Sequence, residues 1–438
     1  MNDRVDRRTL LFAGLGTAVA ALARPLAAQS TRGTFPKGFL WGAATSGHQI
    51  EGNDVNSDTW LLEHVKPTLY VESSGDADDS LNRWSEDLDL VKALGLNSYR
   101  FSLEWSRIEP SPGEFSHAYL DYYARIIDGC NDRGLRAVVT FNHANCPAWF
   151  AAQGYWKNPQ SPELFARFCE RAAKRLAAGM SYAATLNEPN VSAGAKYIPA
   201  LQQLQPAIAA MNAAAARALG SDVFGNALES SPEITRNLLA AHAKGHAAIK
   251  SARPELPVGV TLGLIDDQAI GLNTLRDAKR RDMYSPWFEA IKAHGDFVGV
   301  QNYGRAVYDA KGLVEKPPGA ILLEGGAEYY PDSLKNAVRY AHEQTHKPVF
   351  VTENGISTSD DTLRVRYIPD VLAGLKQAID DGVPVIGYLH WSLLDNFEWI
   401  FGYAPKYGLV AVDRATFKRT PKPSAAILSA IARANALP

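Results

Sequence analysis

The chain has 438 residues, of which 46% are hydrophobic and 21% are charged, and its formal net charge is -2. This is the composition of a soluble protein with a sizeable core, and it excludes the strongly basic surface that nucleic acid partners select. A barrel of alternating strands and helices can use a chain of this length as one unit. We therefore expect a single domain over residues 30–438.

The first 29 residues differ in kind from the rest. Arg7 and Arg8 precede an apolar stretch from Leu10 to Ala23, and small residues follow, which is the layout of an export signal. The arginine pair resembles a twin-arginine signal, which sends folded proteins across the inner membrane of a bacterium. A short membrane anchor is the alternative, but the apolar run is shorter than the ~20 residues that span a bilayer. The sequence predicts export to the periplasm, cleavage near Ala28 and no stable membrane association afterwards.

Strand-like runs alternate with amphipathic helical stretches along the remaining chain. This alternation predicts an α/β fold with parallel strands inside and helices outside, closed as one (β/α)8 TIM barrel. An open doubly wound sheet is the alternative, but its first strand normally leads into a Gly-rich phosphate turn that is missing here. The eight predicted strands are Phe39–Thr45, Ser98–Glu104, Arg136–Phe141, Tyr182–Leu186, Val258–Leu264, Phe297–Gln301, Val349–Thr352 and Val385–His390. The predicted helices include Asn82–Leu94, Tyr119–Arg133, Pro162–Ala177, Pro232–Ala252, Pro331–Gln344 and Tyr367–Asp381.

Two glutamate motifs follow strands of this predicted barrel. TLNEP (residues 185–189) follows the fourth strand and VTENG (residues 351–355) follows the seventh. In a TIM barrel the active site lies at the C-terminal ends of the strands, so Glu188 and Glu353 are expected to meet there. Two facing carboxyl groups are what cleavage of a glycosidic bond requires. Either motif alone is more simply explained as a surface turn.

Further motifs appear in an order that resembles glycoside hydrolase family 1, the β-glucosidase family of retaining enzymes. The resemblance covers nearly all of the chain after the export signal. Besides the two glutamate motifs it rests on FPKGFLWG (35–42), NSYRFSLEWSRI (97–108), WSLLDNFEW (391–399) and KRTPKPS (418–424).

This resemblance implies a double displacement in which Glu353 is the nucleophile and Glu188 the acid and base. Arg100 and Tyr303 are implied as contacts of the nucleophile, where a cation and a hydrogen-bond donor favour the carboxylate form. Retention of configuration further implies that the two carboxyl groups lie about 5 to 5.5 Å apart. A transglycosidase with the same covalent intermediate, and a non-catalytic carbohydrate-binding barrel, are the alternatives.

The resemblance also implies a set of residues that bind the non-reducing sugar. Trp391 would form the platform below the ring, and the polar contacts would come from Gln49, His143, Asn187, Glu398 and Trp399. Taken without the resemblance, His143 is more simply a buried core histidine. Glu398 favours an unphosphorylated sugar of gluco or galacto configuration, because its charge would repel a phosphate at the 6-position.

Several neighbours depart from the pattern of the family. Ala144 and Asn145 replace an aromatic residue and an aspartate, and Asn190 replaces a frequent tryptophan. Gln301-Asn302-Tyr303 stands where the family customarily has Asn-Tyr-Tyr, so only the last tyrosine is kept. We expect the changes at Ala144, Asn145 and Asn190 to alter the walls around the substrate. The chemistry needs no cofactor and no metal, and the expected partner is a carbohydrate or glycoside substrate.

Overall fold

The computed structural model describes residues 33–197, 202–272 and 275–438, and the export signal predicted over residues 1–29 lies outside them. Within the described residues, no helix is both long enough and apolar enough to cross a membrane.

Eight parallel strands close into a barrel in which each strand pairs with the next and the last pairs with the first. This is the predicted (β/α)8 arrangement, and all eight predicted strands are present. Their ends differ from the prediction by one or two residues. The barrel strands are β1 Leu40–Ala44, β2 Ser98–Ser102, β3 Arg136–Asn142, β4 Tyr182–Asn187, β5 Val258–Gly263, β6 Val298–Asn302, β7 Val349–Asn354 and β8 Val385–Trp391.

Helices cover the outside of the barrel and fill the loops between strands. The six predicted helices are present as Ser80–Ala93, His117–Asp132, Ser161–Leu176, Pro232–Ala252, Asp332–Thr345 and Asp361–Asp380. Four further helices had not been predicted, namely Gln205–Leu219, Leu275–Met283, Ser285–His294 and Pro423–Ala434. Shorter helices lie at Gly47–Ile50, Asp58–His64, Trp105–Ile108 and Ala148–Ala152.

Two small sheets lie outside the barrel. In the first, Arg305–Asp309 pairs in parallel with Asp266–Ala269 and antiparallel with Gly312–Leu313. In the second, Val410–Val412 pairs antiparallel with Arg419–Pro421.

The apolar core has two layers, as the alternation of side chains along a barrel strand requires. The larger cluster packs the outward strand residues against the helices, with Trp41, Phe101 and Val139 among its buried members. The smaller cluster includes Leu40, Val138, Phe297, Phe350, Leu389 and Trp391, and by alternation it fills the barrel interior.

The register between β6 and β7 shifts after Val351, so that Glu353 pairs with Gln301 and Asn354 with Asn302. β7 therefore continues two residues beyond its predicted end at Thr352, and Glu353 lies inside the strand. The bulge changes which side chains of β7 face the barrel mouth.

Candidate active site

The predicted site residues lie at the carboxyl ends of the barrel strands or in the loops that follow. Arg100 is in β2, Asn187 ends β4, Glu353 is in β7 and Trp391 ends β8. Gln49, His143, Glu188, Tyr303, Glu398 and Trp399 lie in the segments after β1, β3, β4, β6 and β8. Contacts described below connect nine of them, and Glu188 directly follows Asn187 and is affected by the charge of Glu353, so the structure brings the predicted set together at one mouth of the barrel.

Three donors surround the carboxyl group of Glu353. Arg100 Nη1 and Gln301 Nε2 donate to Oε1 at 2.5 and 2.7 Å, and the Tyr303 hydroxyl donates to Oε2 at 2.6 Å. The Arg100 guanidinium is fully buried, so its charge acts on this carboxyl with little screening by water. Burial raises the pKa of Glu353, and the Arg100 charge and the Tyr303 hydrogen bond oppose that rise.

Glu188 has very different surroundings. It directly follows β4 with a left-handed φ of 47°, and its backbone N–H donates to the Thr261 carbonyl at 2.8 Å. Its half-buried side chain passes over Gly263, where a Cβ would come within 2.9 Å of Glu188 Oε1. Among residues 33–197, 202–272 and 275–438, none donates a hydrogen bond to its carboxyl group.

These surroundings separate the proton affinities of the two carboxyl groups. Burial, and after it the negative charge of Glu353, raises the pKa of Glu188 to about 8, against an opposing effect of Arg100. Burial also raises the pKa of Glu353, but the Arg100 charge and the Tyr303 hydrogen bond limit that rise. As the pH rises, Glu353 is therefore the first to ionise, while Glu188 still holds its proton near neutral pH.

Asn187 links the hydrogen bonds around Glu353 to His143. Its Oδ1 accepts hydrogen bonds from Arg100 Nη2 at 2.6 Å, Gln301 Nε2 at 2.8 Å and Thr261 Oγ1 at 3.1 Å. Three donors fix the orientation of the amide, so its Nδ2 is the group that faces His143 Nε2 at 3.1 Å. His143 is buried, and this burial lowers its pKa well below the usual range, so the ring is neutral.

Four aromatic rings form a continuous stack beside this network. His48 lies against Trp399 at 5.8 Å between ring centroids, Trp399 against His143 at 6.2 Å, and His143 against Trp391 at 5.7 Å. The angles between successive ring planes are 6°, 17° and 22°. We call these four residues the ring stack. It offers an apolar face next to polar groups, which is the combination that binds a sugar ring.

Glu398 lies on the same side of the barrel mouth as the ring stack. Trp391 Nε1 donates to its Oε1 at 3.4 Å, and Gln49 adds a second side-chain hydrogen bond. Gln49 is itself held by the Phe397 carbonyl at 2.8 Å and by Ser46 Oγ at 2.8 Å. Burial raises the pKa of Glu398 to about 8, with smaller effects of Glu353 and Asp395 in the same direction.

Comparison with known proteins decides what this arrangement is. The family model described as Glycosyl hydrolase family 1 matches residues 31–312 and 319–437. The chain belongs to this family. It is therefore a glycoside hydrolase, and it has the retaining mechanism that characterises family 1.

Individual relatives agree with this assignment. A β-glucosidase of Agrobacterium sp. is 29% identical over 91% of this chain and 95% of its own length. Among solved structures, the apo form of β-glucosidase 1317 has a TM-score of 0.88 at 41% identity, covering 91% of this chain and 98% of that one. A β-glucosidase of Thermotoga maritima in complex with glucoimidazole has a TM-score of 0.80 at 25% identity, covering 92% of this chain and 99% of that one.

Two of the three changed residues make their contacts inside the protein. Asn145 is buried, and its Nδ2 donates to Asp54 and Glu104 at 2.8 and 2.7 Å, so it acts inside the protein. Asn190 is also buried, and it exchanges hydrogen bonds with the backbone of Gly263. Of the three changes only Ala144, partly exposed at φ 64°, leaves surface next to His143.

The sequence interpretation missed several groups at the site. Gln301 contacts both Glu353 and Asn187, and His48 extends the ring stack. Tyr407 packs edge-on against Tyr303 at 5.8 Å between ring centroids. The motif departure at Gln301 was a visible signal, because a changed residue next to a family motif lies close to the same site.

No group of three or more metal-ligating side chains occurs in the part of the chain that the structure describes. His242, which has helical spacing to His246, instead binds Thr185 Oγ1 through Nδ1 at 2.7 Å. Cys146, near the site in sequence, is fully buried, and this burial raises the pKa of its thiol well above the usual range. It is therefore unsuited to act as a nucleophile.

Proposed function

We propose that Glu353 and Glu188 carry out the double displacement on a terminal β-linked sugar. Ionised Glu353 attacks the anomeric carbon while Glu188 gives its proton to the departing oxygen. Glu188 then takes a proton from the water that releases the sugar from Glu353. The observation that carries this assignment is the contrast in donors, with three at Glu353 and none found at Glu188 among the described residues. The carboxyl groups would lie about 5 to 5.5 Å apart, as retention requires.

The glycone would be an unphosphorylated gluco- or galacto-configured sugar. Trp391 and the ring stack would support its apolar face, and Gln49, His143, Asn187, Glu398 and Trp399 would bind its hydroxyl groups. Glu353 and Asp395 place negative charge near Glu398, and this charge would repel a phosphate whether or not Glu398 itself is ionised. The bound glucoimidazole in the Thermotoga maritima relative supports a glucose-shaped site.

Azide rescue tests the assignment of the two carboxyl groups. With Glu353→Gly we expect loss of turnover on an aryl β-glucoside, and added azide should displace the leaving group in one inversion to give the α-glycosyl azide. With Glu188→Gly the covalent intermediate still forms, so azide should give the β-glycosyl azide. The anomer of the product therefore reports which carboxyl group was removed.

Glu315→Gly is the matched control, because Glu315 is exposed outside the barrel strands and should keep full activity. Full activity in Glu353→Gly would contradict the proposal. Product analysis with an added alcohol would separate hydrolysis from transfer to another hydroxyl group, since both proceed through the same intermediate.

We also propose that residues 1–29 direct export to the periplasm. Three features of the sequence support this proposal: the paired arginines, an apolar stretch too short to span a membrane, and the small residues near Ala28. A reporter fused to residues 1–29 should reach the periplasm, and the Arg7→Lys, Arg8→Lys double variant should retain it in the cytoplasm. Export of the double variant at the parental level would rule out the twin-arginine route.

A further inference from the structure

Gln301 occupies a position that the sequence did not mark as functional. It is the fourth residue of β6 and pairs with Glu353 of β7, because the bulge after Val351 shifts the two strands into this register. On the other side of β6, Gln301 pairs with Gly263 of β5. Because Gly263 has no side chain, it leaves space for the Gln301 side chain beside the Glu353 carboxyl group.

Both hydrogens of the Gln301 amide are used within the site. Nε2 donates to Glu353 Oε1 at 2.7 Å and to Asn187 Oδ1 at 2.8 Å. A flipped amide would place its oxygen against these two acceptors, so only one orientation is possible. Gln301 Oε1 is buried and has no hydrogen-bond partner among the described residues. A glutamine that served stability alone would have its oxygen satisfied, since an unpaired buried acceptor is costly.

Arg100 makes the same pair of contacts from the opposite side. Its Nη1 donates to Glu353 Oε1 at 2.5 Å and its Nη2 to Asn187 Oδ1 at 2.6 Å. Arg100, Glu353, Gln301 and Asn187 thus form a closed hydrogen-bonded ring. Within this ring Oε1 accepts two hydrogen bonds, whereas Oε2 accepts one, from Tyr303.

This difference distinguishes the two oxygens of the carboxylate. A carboxylate oxygen has about two lone-pair directions. Arg100 and Gln301 occupy both at Oε1, whereas Tyr303 leaves one free at Oε2. We propose that Gln301 is a positioning residue that anchors Oε1 and thereby makes Oε2 the atom that attacks the anomeric carbon. This inference rests on the proposed role of Glu353 as the nucleophile.

A graded set of substitutions tests the proposal. Gln301→Leu keeps the approximate volume and removes both donors, so one charge-assisted hydrogen bond to Glu353 is lost. We expect kcat/KM to fall about ten- to a hundredfold. Because the carboxylate form of Glu353 loses a donor, the acidic limb of the pH profile of kcat/KM should move up by about one pH unit.

Gln301→Asn is the second variant and guards against a folding defect in Gln301→Leu. It retains an amide but is one methylene shorter, so it should keep one of the two contacts and give an intermediate rate and an intermediate pH shift. Gln377→Leu makes the same chemical change at an exposed helix position and should leave both rate and pH profile unchanged. Thermal unfolding of each variant separates loss of structure from loss of positioning.

The outcomes are decisive in both directions. A folded Gln301→Leu variant with parental activity and a parental acidic limb would overturn the positioning role. If Glu353→Gly still gave the α-glycosyl azide in that case, the nucleophile assignment would survive. A lower rate with an unmoved acidic limb would also overturn the proposal, because a purely structural defect does not act on the ionisation of Glu353.

Discussion

Glu188 and Glu104 share a pKa raised to about 8, and burial is the largest cause for both. For Glu188 the second cause is the charge of Glu353, whereas for Glu104 it is the charges of Asp54 and Glu51. Glu104 is only 1% exposed, and its oxygens accept hydrogen bonds from Ser102 at 2.9 Å and Asn145 at 2.7 Å. Glu188 is half-buried.

Proton affinity and access to the substrate are separate properties of a carboxyl group. A raised pKa lets a carboxyl group keep its proton near neutral pH, but access decides whether it can give that proton to a substrate. Glu104 is enclosed by protein groups that already use both of its oxygens. Glu188 has an unoccupied carboxyl group at the mouth of the barrel. Proton affinity alone therefore does not identify the acid.

The largest expected effect comes from replacing Glu188 by its amide. Glu188→Gln should lower kcat/KM about 10²- to 10⁴-fold on substrates with poor leaving groups, since these need a proton in the first step. The loss should be much smaller with an activated phenol as leaving group. The measurement is the pH profile with both substrate types, and the basic limb near pH 8 should disappear in this variant.

Glu104→Gln provides the contrast, with activity expected within about tenfold of the parent and the basic limb retained. If Glu104→Gln removed the basic limb, the distinction drawn from access would fail.

A smaller effect is expected from Gly263→Ala. The added Cβ would lie 2.9 Å from Glu188 Oε1 and 2.7 Å from Val191 Cγ2, which is too close for either contact. Displacement of the acid by a fraction of an ångström should lower kcat about ten- to a hundredfold. Gly374→Ala is the control, because the nearest atom to its Cβ lies 3.5 Å away. Parental kcat in Gly263→Ala would show that Glu188 acts from a different position.

The smallest expected effect concerns stability at Glu104. Its pKa is higher in the folded chain, at about 8, than the ordinary value of the unfolded chain, so its contribution to stability is complete at low pH and is lost as the pH rises through about 8. Glu104→Gln cannot ionise, so its Tm relative to the parent should increase from about pH 5 to about pH 9.

Exposed Glu343→Gln should show no such trend in the same thermal unfolding series. A constant difference in Tm between Glu104→Gln and the parent would mean that Glu104 ionises normally in the folded protein.

The strands and the two glutamates could be predicted because their signals are local. Each barrel strand is a short apolar run, and each glutamate sits in a motif directly after such a run. The Gln205–Leu219 helix gave no such signal, because its many alanines blur the boundary between apolar and polar faces. Its presence depends on packing that the sequence pattern does not display.

The contacts of Gln301 could not be predicted for a different reason. Its partner is set by the bulge after Val351, and a one-residue change of register would exchange the inward and outward side chains. The surroundings of Glu104 were equally hidden, because Asp54, Ser102 and Asn145 come from three separate segments. Such contacts depend on the closed barrel and not on spacing along the chain.

The ring stack joins residues from three parts of the chain that are far apart in sequence. His48 follows β1, His143 follows β3, Trp391 ends β8 and Trp399 lies in the next loop. Since each ring rests on its neighbour, these segments hold one another in place before any sugar arrives. Under the proposed function, the apolar surface that receives the sugar ring is therefore already assembled in the free protein.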